Sequence, residues 1–257
     1  MINPCGWILT SLIALLFQVQ AVSAAGLEGT PVQTGEFSTS ATILELLGEP
    51  SSAYAPLIPI DEAIHWQVYV PSGYDPTKPA GLLVYISPAD SGRILSEWKS
   101  LMDERNLIWI AADDSGNRRA GVHRMILAVM ATTVIERQYQ IDRTRFYVSG
   151  FSGGGRMASM VAAEYPELFR GAIYICGVNY WLNKSSVEID KVKRNRYVFL
   201  TGSEDFNLQD TRKVFRRYEK AGIPEINLVV IPHMGHRNPG AKDYGKAIAW
   251  LDGVSAN

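Results

Sequence analysis

Cysteine is nearly absent from this chain. Only Cys5 and Cys176 occur in 257 residues, so no disulfide framework can hold the fold, and no Cys/His spacing of a zinc site appears anywhere. Charge imbalance is missing as well: 25 basic residues stand against 26 acidic ones, a net charge of -1. That balance argues against nucleic acid or an anionic membrane surface as a partner. No Lys or Arg precedes Lys78, no internal repeat is visible, and no apolar run reaches the roughly 20 residues that cross a bilayer. What remains is a chain that is 47% hydrophobic, enough for one substantial core and one domain.

The N-terminal segment differs from the rest. Residues 7–17 form an apolar run, followed by small residues at Val22, Ala24 and Ala25. This pattern predicts a cleavable export signal over residues 1–24, with the cut after Ala24 or Ala25 and a secreted or periplasmic mature protein. Cys5 would leave with it. Cys176 would then stand alone in the run Ala172-Ile173-Tyr174-Ile175-Cys176, reading as a small core residue and not as a reactive thiol. Residues 25–60, rich in Ser, Thr, Pro and Glu, read as a solvated N-terminal extension with a short helix near 42–47. A single domain then covers residues 61–257.

From His65 onward two periodicities alternate. Apolar, β-prone runs fall at 66–70, 82–86, 107–111, 145–149, 172–176, 197–201 and 226–231. Most are continuously hydrophobic, as parallel strands covered on both faces must be. Helical stretches are expected between them at 94–105, 119–139, 153–165, 209–221 and 241–251. The alternation predicts an α/β fold: a doubly wound, mainly parallel sheet with helices on both faces and no large lid. Ligands of such sheets bind beyond the carboxyl ends of the strands, so the loops following strands are where chemistry is expected.

Three of those loops carry it. The run Gly150-Phe151-Ser152-Gly153-Gly154 passes from strand to helix and has the form G-x-S-x-G, a nucleophile elbow. Its glycines let strand and helix approach closely while Ser152 sits on a sharp turn above a helix N-terminus. The alternative is an ordinary glycine-rich turn. A phosphate loop is a poor reading of Gly153-Gly154-Gly155, because no Lys-Ser/Thr follows. The run Thr201-Gly202-Ser203-Glu204-Asp205 places an acid after a strand; Asp205 could orient an imidazolium, or cap the following helix, with Glu204 or Asp210 as the acid instead. The run Ile231-Pro232-His233-Met234-Gly235-His236 follows the last strand. His236, freed by Gly235 to turn back, is the expected general base, and His233 the structural alternative. His65 and His123 suit neither role. The chain order Ser, acid, His is the α/β-hydrolase order. Aromatics after the strand at 172–176, Tyr180 and Trp181, are expected to shape the substrate pocket, and Trp98 could do so or simply pack.

From about Trp66 the sequence resembles the α/β-hydrolase superfamily, and within it compact, lidless esterases related to polyhydroxybutyrate depolymerases and feruloyl esterases. The likeness rests on Val68-Tyr69-Val70-Pro71-Ser72-Gly73-Tyr74-Asp75, on the strand Leu82-Leu83-Val84-Tyr85-Ile86, and on Ser152, Asp205 and His236. It implies a serine esterase that acts on a small-molecule or oligomeric ester with no metal or organic cofactor. It also implies an oxyanion hole built from the Gly153 amide and that of Ala89. Relatives usually carry His-Gly after the oxyanion strand, where this chain has Ser87-Pro88; Asp90 is the alternative donor, provided its side chain points away. Polymer depolymerases tend to carry disulfides and a binding module, neither of which is visible here. Competing readings are a prolyl-oligopeptidase-like peptidase, an acyltransferase, and a non-catalytic binding protein on the same fold. Such peptidases usually carry a large gating domain for which this chain has no room.

Overall fold

The computed structural model describes residues 32–254. The expected export signal, Cys5 and the proposed cleavage site lie outside the described residues.

The strands expected from their apolar runs all form. They are β2 (Ile64–Val70), β3 (Ala80–Ile86), β4 (Leu107–Ala112), β5 (Ile141–Phe151), β6 (Gly171–Ile175), β7 (Arg196–Gly202) and β8 (Ile226–Ile231). One more precedes them. The stretch read as a solvated extension contains β1 (Gly35–Ala41), which runs antiparallel along β2 from Gly35 opposite Val70 to Ala41 opposite Ile64. Its sequence, GEFSTSA, has no apolar run, but its residues alternate half-buried and exposed. An edge strand needs one backbone partner and one covered face. The short helix α1 (Ile43–Leu47) follows, started by a capping box in which the Glu45 N–H donates to Thr42 Oγ1 and the Thr42 N–H to the Glu45 carboxylate.

The sheet order is β1-β2-β4-β3-β5-β6-β7-β8. The β1–β2 and β2–β4 pairings are antiparallel, and every pairing from β4 to β8 is parallel. Side chains alternate between two cores. Leu82, Val84, Ile108, Ile110, Tyr197 and Phe199 point to one face, which is covered by α3 (Gly121–Glu136), α4 (Gly153–Glu164) and α6 (Leu208–Lys220). Leu83, Tyr85, Trp109, Val198 and Leu200 point to the other, covered by α2 (Ser96–Arg105) and α7 (Ala241–Leu251). A four-residue helix, α5 (Ile189–Val192), precedes β7. This is the expected α/β architecture, with helices on both faces and no large lid insertion. Among the described residues no helix is long and apolar enough to cross a membrane.

On the second face an aromatic cluster settles the role of Trp98. Its ring stacks on Tyr244 with centroids 4.3 Å apart and its indole N–H donates to the Pro239 carbonyl at 3.1 Å. It is fully buried, so it packs the core and does not wall a pocket.

A very tight backbone contact lies where β3, β5 and α4 converge. A Cβ on Gly154 would stand 1.8 Å from the Ile86 carbonyl oxygen, and one on Gly150 2.4 Å from the Gly154 carbonyl carbon. Backbone cannot yield as a flexible side chain can. Gly154→Ala is therefore expected to cost about 1–3 kcal/mol through forced separation of β3 and α4. Gly73→Ala, where a Cβ meets nothing within 4 Å, should stay within about 0.5 kcal/mol of the parent. Denaturant midpoints of the two variants decide this; equal midpoints would remove the close-packing account.

Candidate active site

Ser152 occupies the single position between the end of β5 and the start of α4. Its backbone has φ 54° and ψ -116°, a conformation L-residues other than glycine avoid and which costs about 1–3 kcal/mol. The neighbours impose it. The Ser152 N–H donates to the Ile175 carbonyl at 2.7 Å, and the Ser152 carbonyl accepts from the Arg156 N–H at 3.1 Å. Gly177 lies so close behind that a Cβ there would be 2.3 Å from the Ser152 carbonyl oxygen. The hydroxyl is thereby turned out over the carboxyl edge of the sheet.

Two loops from strand ends meet it there. His236 Nε2 lies 2.9 Å from Ser152 Oγ, and His236 Nδ1 lies 2.8 Å from Asp205 Oδ1. Asp205 Oδ1 also accepts the Asn207 N–H at 3.0 Å, and Oδ2 accepts the Thr201 hydroxyl at 2.7 Å. Burial of the Asp205 side chain by itself would raise its pKa. The hydrogen bonds from Asn207, Thr201, Cys176 and His236 outweigh that, and hold the carboxyl below the usual carboxylate range. An ionised carboxylate only accepts, so the proton of a neutral imidazole belongs on Nδ1, leaving the Nε2 lone pair facing the serine hydroxyl.

The alternative residues are accounted for elsewhere. His233 and Glu204 pair with each other at 3.2 Å on the exposed surface. Asp210 lies on a cleft wall. The donor atoms of Cys176, Asp205 and His236 lie within 4.8 Å of one another, a spacing a metal could use. Burial and the nearby Asp205, however, push the Cys176 thiol up to about 12, so it is a protonated thiol and a poor ligand, while Asp205 and His236 are held by hydrogen bonds. Cys176 is fully buried, as its place in an apolar run implied.

The oxyanion side departs from the expectation for Ala89. Its amide donates to Ser87 Oγ at 3.1 Å and so is engaged locally. The Asp90 carboxylate does turn away, to Arg118 at 2.9 Å. The Gly153 amide is the first of α4, directly after the serine. Two residues that sequence reasoning passed over shape this rim. Arg124, buried in α3, donates to the Ser87 carbonyl at 2.9 Å and to Asn117 Oδ1 at 3.4 Å. It thereby ties the loop after β3 to the loop after β4, and burial lowers its pKa. Asn117 lies over the elbow: a Cβ on Gly153 would fall 1.9 Å from its Oδ1. The available signal was an arginine inside the otherwise apolar stripe of α3.

Aromatic rings flank the imidazole. Phe206 lies with its centroid 4.1 Å from that of His236 and is 77% exposed; Phe151 lies at 4.9 Å. Tyr180 and Trp181 sit further along the rim, half-buried, and wall a cleft of about 400 Å³.

Comparison with known proteins places this geometry in context. Residues 113–197, which contain Ser152 but neither Asp205 nor His236, match the prolyl oligopeptidase family. A poly(3-hydroxybutyrate) depolymerase of Ralstonia pickettii is 29% identical over 89 residues, a match that spans 29% of this chain and 18% of that protein. Among solved structures, the feruloyl esterase module of Clostridium thermocellum superposes with a TM-score of 0.59 at 13% identity, over 86% of this chain and 89% of the module. Dipeptidyl peptidase 4 of Porphyromonas gingivalis superposes with a TM-score of 0.58 at 18% identity, over 76% of this chain but only 34% of the peptidase. With its sheet order, its strand-to-helix serine and these relatives, the chain is an α/β-hydrolase-fold protein, structurally related to esterases and to dipeptidyl-peptidase-IV-like peptidases and more weakly to a polyhydroxybutyrate depolymerase.

Proposed function

We propose that this protein is a serine hydrolase that cleaves carboxylic esters through an acyl-enzyme. The observation that carries the proposal is the unbroken relay from Ser152 Oγ through His236 to the buried, ionised Asp205, with contacts of 2.9 and 2.8 Å. Ser152 Oγ attacks the ester carbonyl while His236 Nε2 takes its proton. The charge that develops on the carbonyl oxygen is met by the Gly153 N–H at the head of α4. Collapse of the tetrahedral intermediate breaks the ester bond, and His236 returns the proton to the departing alcohol. Water, deprotonated by the same imidazole, then attacks the acyl group and releases Ser152.

Asp205 does not take up the proton in this scheme; it orients the ring and stabilises the imidazolium. The Ala89 amide serves as second oxyanion donor once the Ser87 hydroxyl, which accepts from it at 3.1 Å, rotates away. Losing such a donor typically costs about 10²–10³ in rate, so the strength of this rim depends on that rotation. Phe151 and Phe206 form an apolar collar beside the imidazole, and Tyr180 and Trp181 continue it as substrate walls. The scheme requires no metal or organic cofactor.

A peptidase is the second reading, favoured by the prolyl oligopeptidase match across the elbow. The same relay would serve it, and parallel assays on ester and peptide substrates separate the two. The apolar run at 7–17 and the small residues before Gly26 further support export of the protein, with residues 1–24 removed. N-terminal sequencing of protein recovered from the producing cell should begin at Ala25 or Gly26; an intact Met1 terminus would refute export by this route.

Three measurements test the relay. A fluorophosphonate probe should label the parent protein and not Ser152→Ala; labelling that survives the substitution would place the nucleophile elsewhere. Asp205→Asn, which permits the wrong imidazole tautomer, should lower kcat by about 10⁴. The pH profile has a defined sign. Hydrogen bonds hold the Asp205 carboxyl below the usual carboxylate range, and His236 acts as a base only while Nε2 carries no proton, so activity falls as pH drops. The stabilising contribution of Asp205 itself is complete above the ordinary carboxylate range and is lost only as pH falls through its lowered value. An acid limb that coincides with loss of the fold would assign that limb to Asp205.

A further inference from the structure

The cleft of about 400 Å³ beside the relay has a charge pattern unlike that of the molecule as a whole. The protein is close to neutral, yet Arg156, Lys184, Lys213 and Arg217 all line this one concavity against a single carboxylate, Asp210. None of the four takes part in a salt bridge among the described residues. Neighbours hold three of them at the cleft. Arg156 donates to Asn207 Oδ1 at 3.1 Å. The Arg217 guanidinium lies 3.4 Å from the centre of the Tyr180 ring, and Lys184 Nζ lies 4.7 Å from that of Trp181. These cation–π contacts hold charge at the rim without neutralising it. Thr211 also lines the cleft, with its hydroxyl enclosed by protein.

The cleft and the relay share walls. Arg156 is one helical turn beyond Ser152 and donates its backbone N–H to the serine carbonyl. Gly177 packs against the Ser152 backbone. The Asn207 backbone N–H holds Asp205, while its side chain accepts from Arg156. Arg156, Gly177 and Asn207 thus line the cleft and also touch Ser152 or Asp205.

We infer that the cleft lined by Arg156, Lys184, Lys213 and Arg217 selects substrates bearing a carboxylate, held apart from the scissile ester. The inference rests on the ester-hydrolase reading. A carboxylate matches the planar fork of the arginines. No glycine-rich run of backbone amides lines the cleft to favour a phosphate.

The test compares esters in matched pairs. Mono(4-nitrophenyl) adipate and suberate are each set against their methyl-capped neutral twins, which places the charge on the acyl side at two reaches. 4-Acetoxybenzoate against its methyl ester places it on the alcohol side. In at least one pair the free acid should have a kcat/KM about tenfold above its twin, and about 0.5 M salt should shrink the preference by screening exposed cations. Lys213→Gln combined with Arg217→Gln should abolish the preference. Lys220→Gln, on the same helix but off the cleft, should keep it. Equal rates within every pair, or a preference that survives the double substitution, overturns the inference while leaving the esterase reading intact. Failure of the esterase reading looks different: neither twin is hydrolysed and no probe labels Ser152. Calorimetric titration of Ser152→Ala with adipate monomethyl ester reads the cleft without turnover. Binding lost on adding the Lys213 and Arg217 substitutions supports it, and absence of binding overturns it.

Discussion

The structure depends first on how closely two backbones can approach at one point. The Ile86 carbonyl of β3, the Gly150 position of β5 and the Gly154 position of α4 meet at distances that leave no room for a Cβ. That contact makes the chain leave the sheet and enter a helix within one residue. The residue between them, Ser152, bears the consequence as a positive φ. A relaxed turn would spread the change of direction over several residues and let the hydroxyl lie against the surface. The tight one holds it upright at the carboxyl edge of the sheet, above the positive end of α4.

Around that fixed hydroxyl the charged groups are arranged by burial and hydrogen bonding more than by proximity alone. Asp205 is buried, which disfavours its charge, yet its two oxygens accept from backbone, hydroxyl and imidazole donors and the charge is retained. Cys176 is also buried and adjoins that carboxylate, and the result is the reverse: the thiol keeps its proton. On the opposite rim the buried Arg124 works by position, joining the Ser87 carbonyl to the Asn117 side chain. It fixes the loop that contains Ser87-Pro88. The Ala89 amide is engaged because Ser87 supplies an acceptor two residues away.

Continuous apolar runs were readable because a parallel strand covered on both faces tolerates nothing else, and β3, β4 and β7 are such strands. The first strand escaped notice for the converse reason. At the sheet edge, Gly35–Ala41 is held largely by backbone pairing to β2, and Glu36, Ser38 and Ser40 satisfy its exposed face as well as any apolar residue would. Arg124 and Asn117 were hidden differently. Their roles arise from contacts with the 87–90 loop and with Gly153, some 30 to 40 residues away in the chain for each pairing, and no local pattern encodes those.

The sequence by itself determined the layered α/β sheet, the Gly-x-Ser-x-Gly turn and the set of loops in which an acid and a histidine had to lie. Periodicity, glycine placement and strand order are local properties that the chain carries before it folds. Only the tertiary structure decided among Glu204, Asp205 and Asp210, between His233 and His236, and whether the Ala89 amide was free. Neighbouring residues on one loop differ in direction by far more than they differ in position. Which of them reaches Ser152 is set by hydrogen bonds that exist only after three distant strand ends have been brought to one edge.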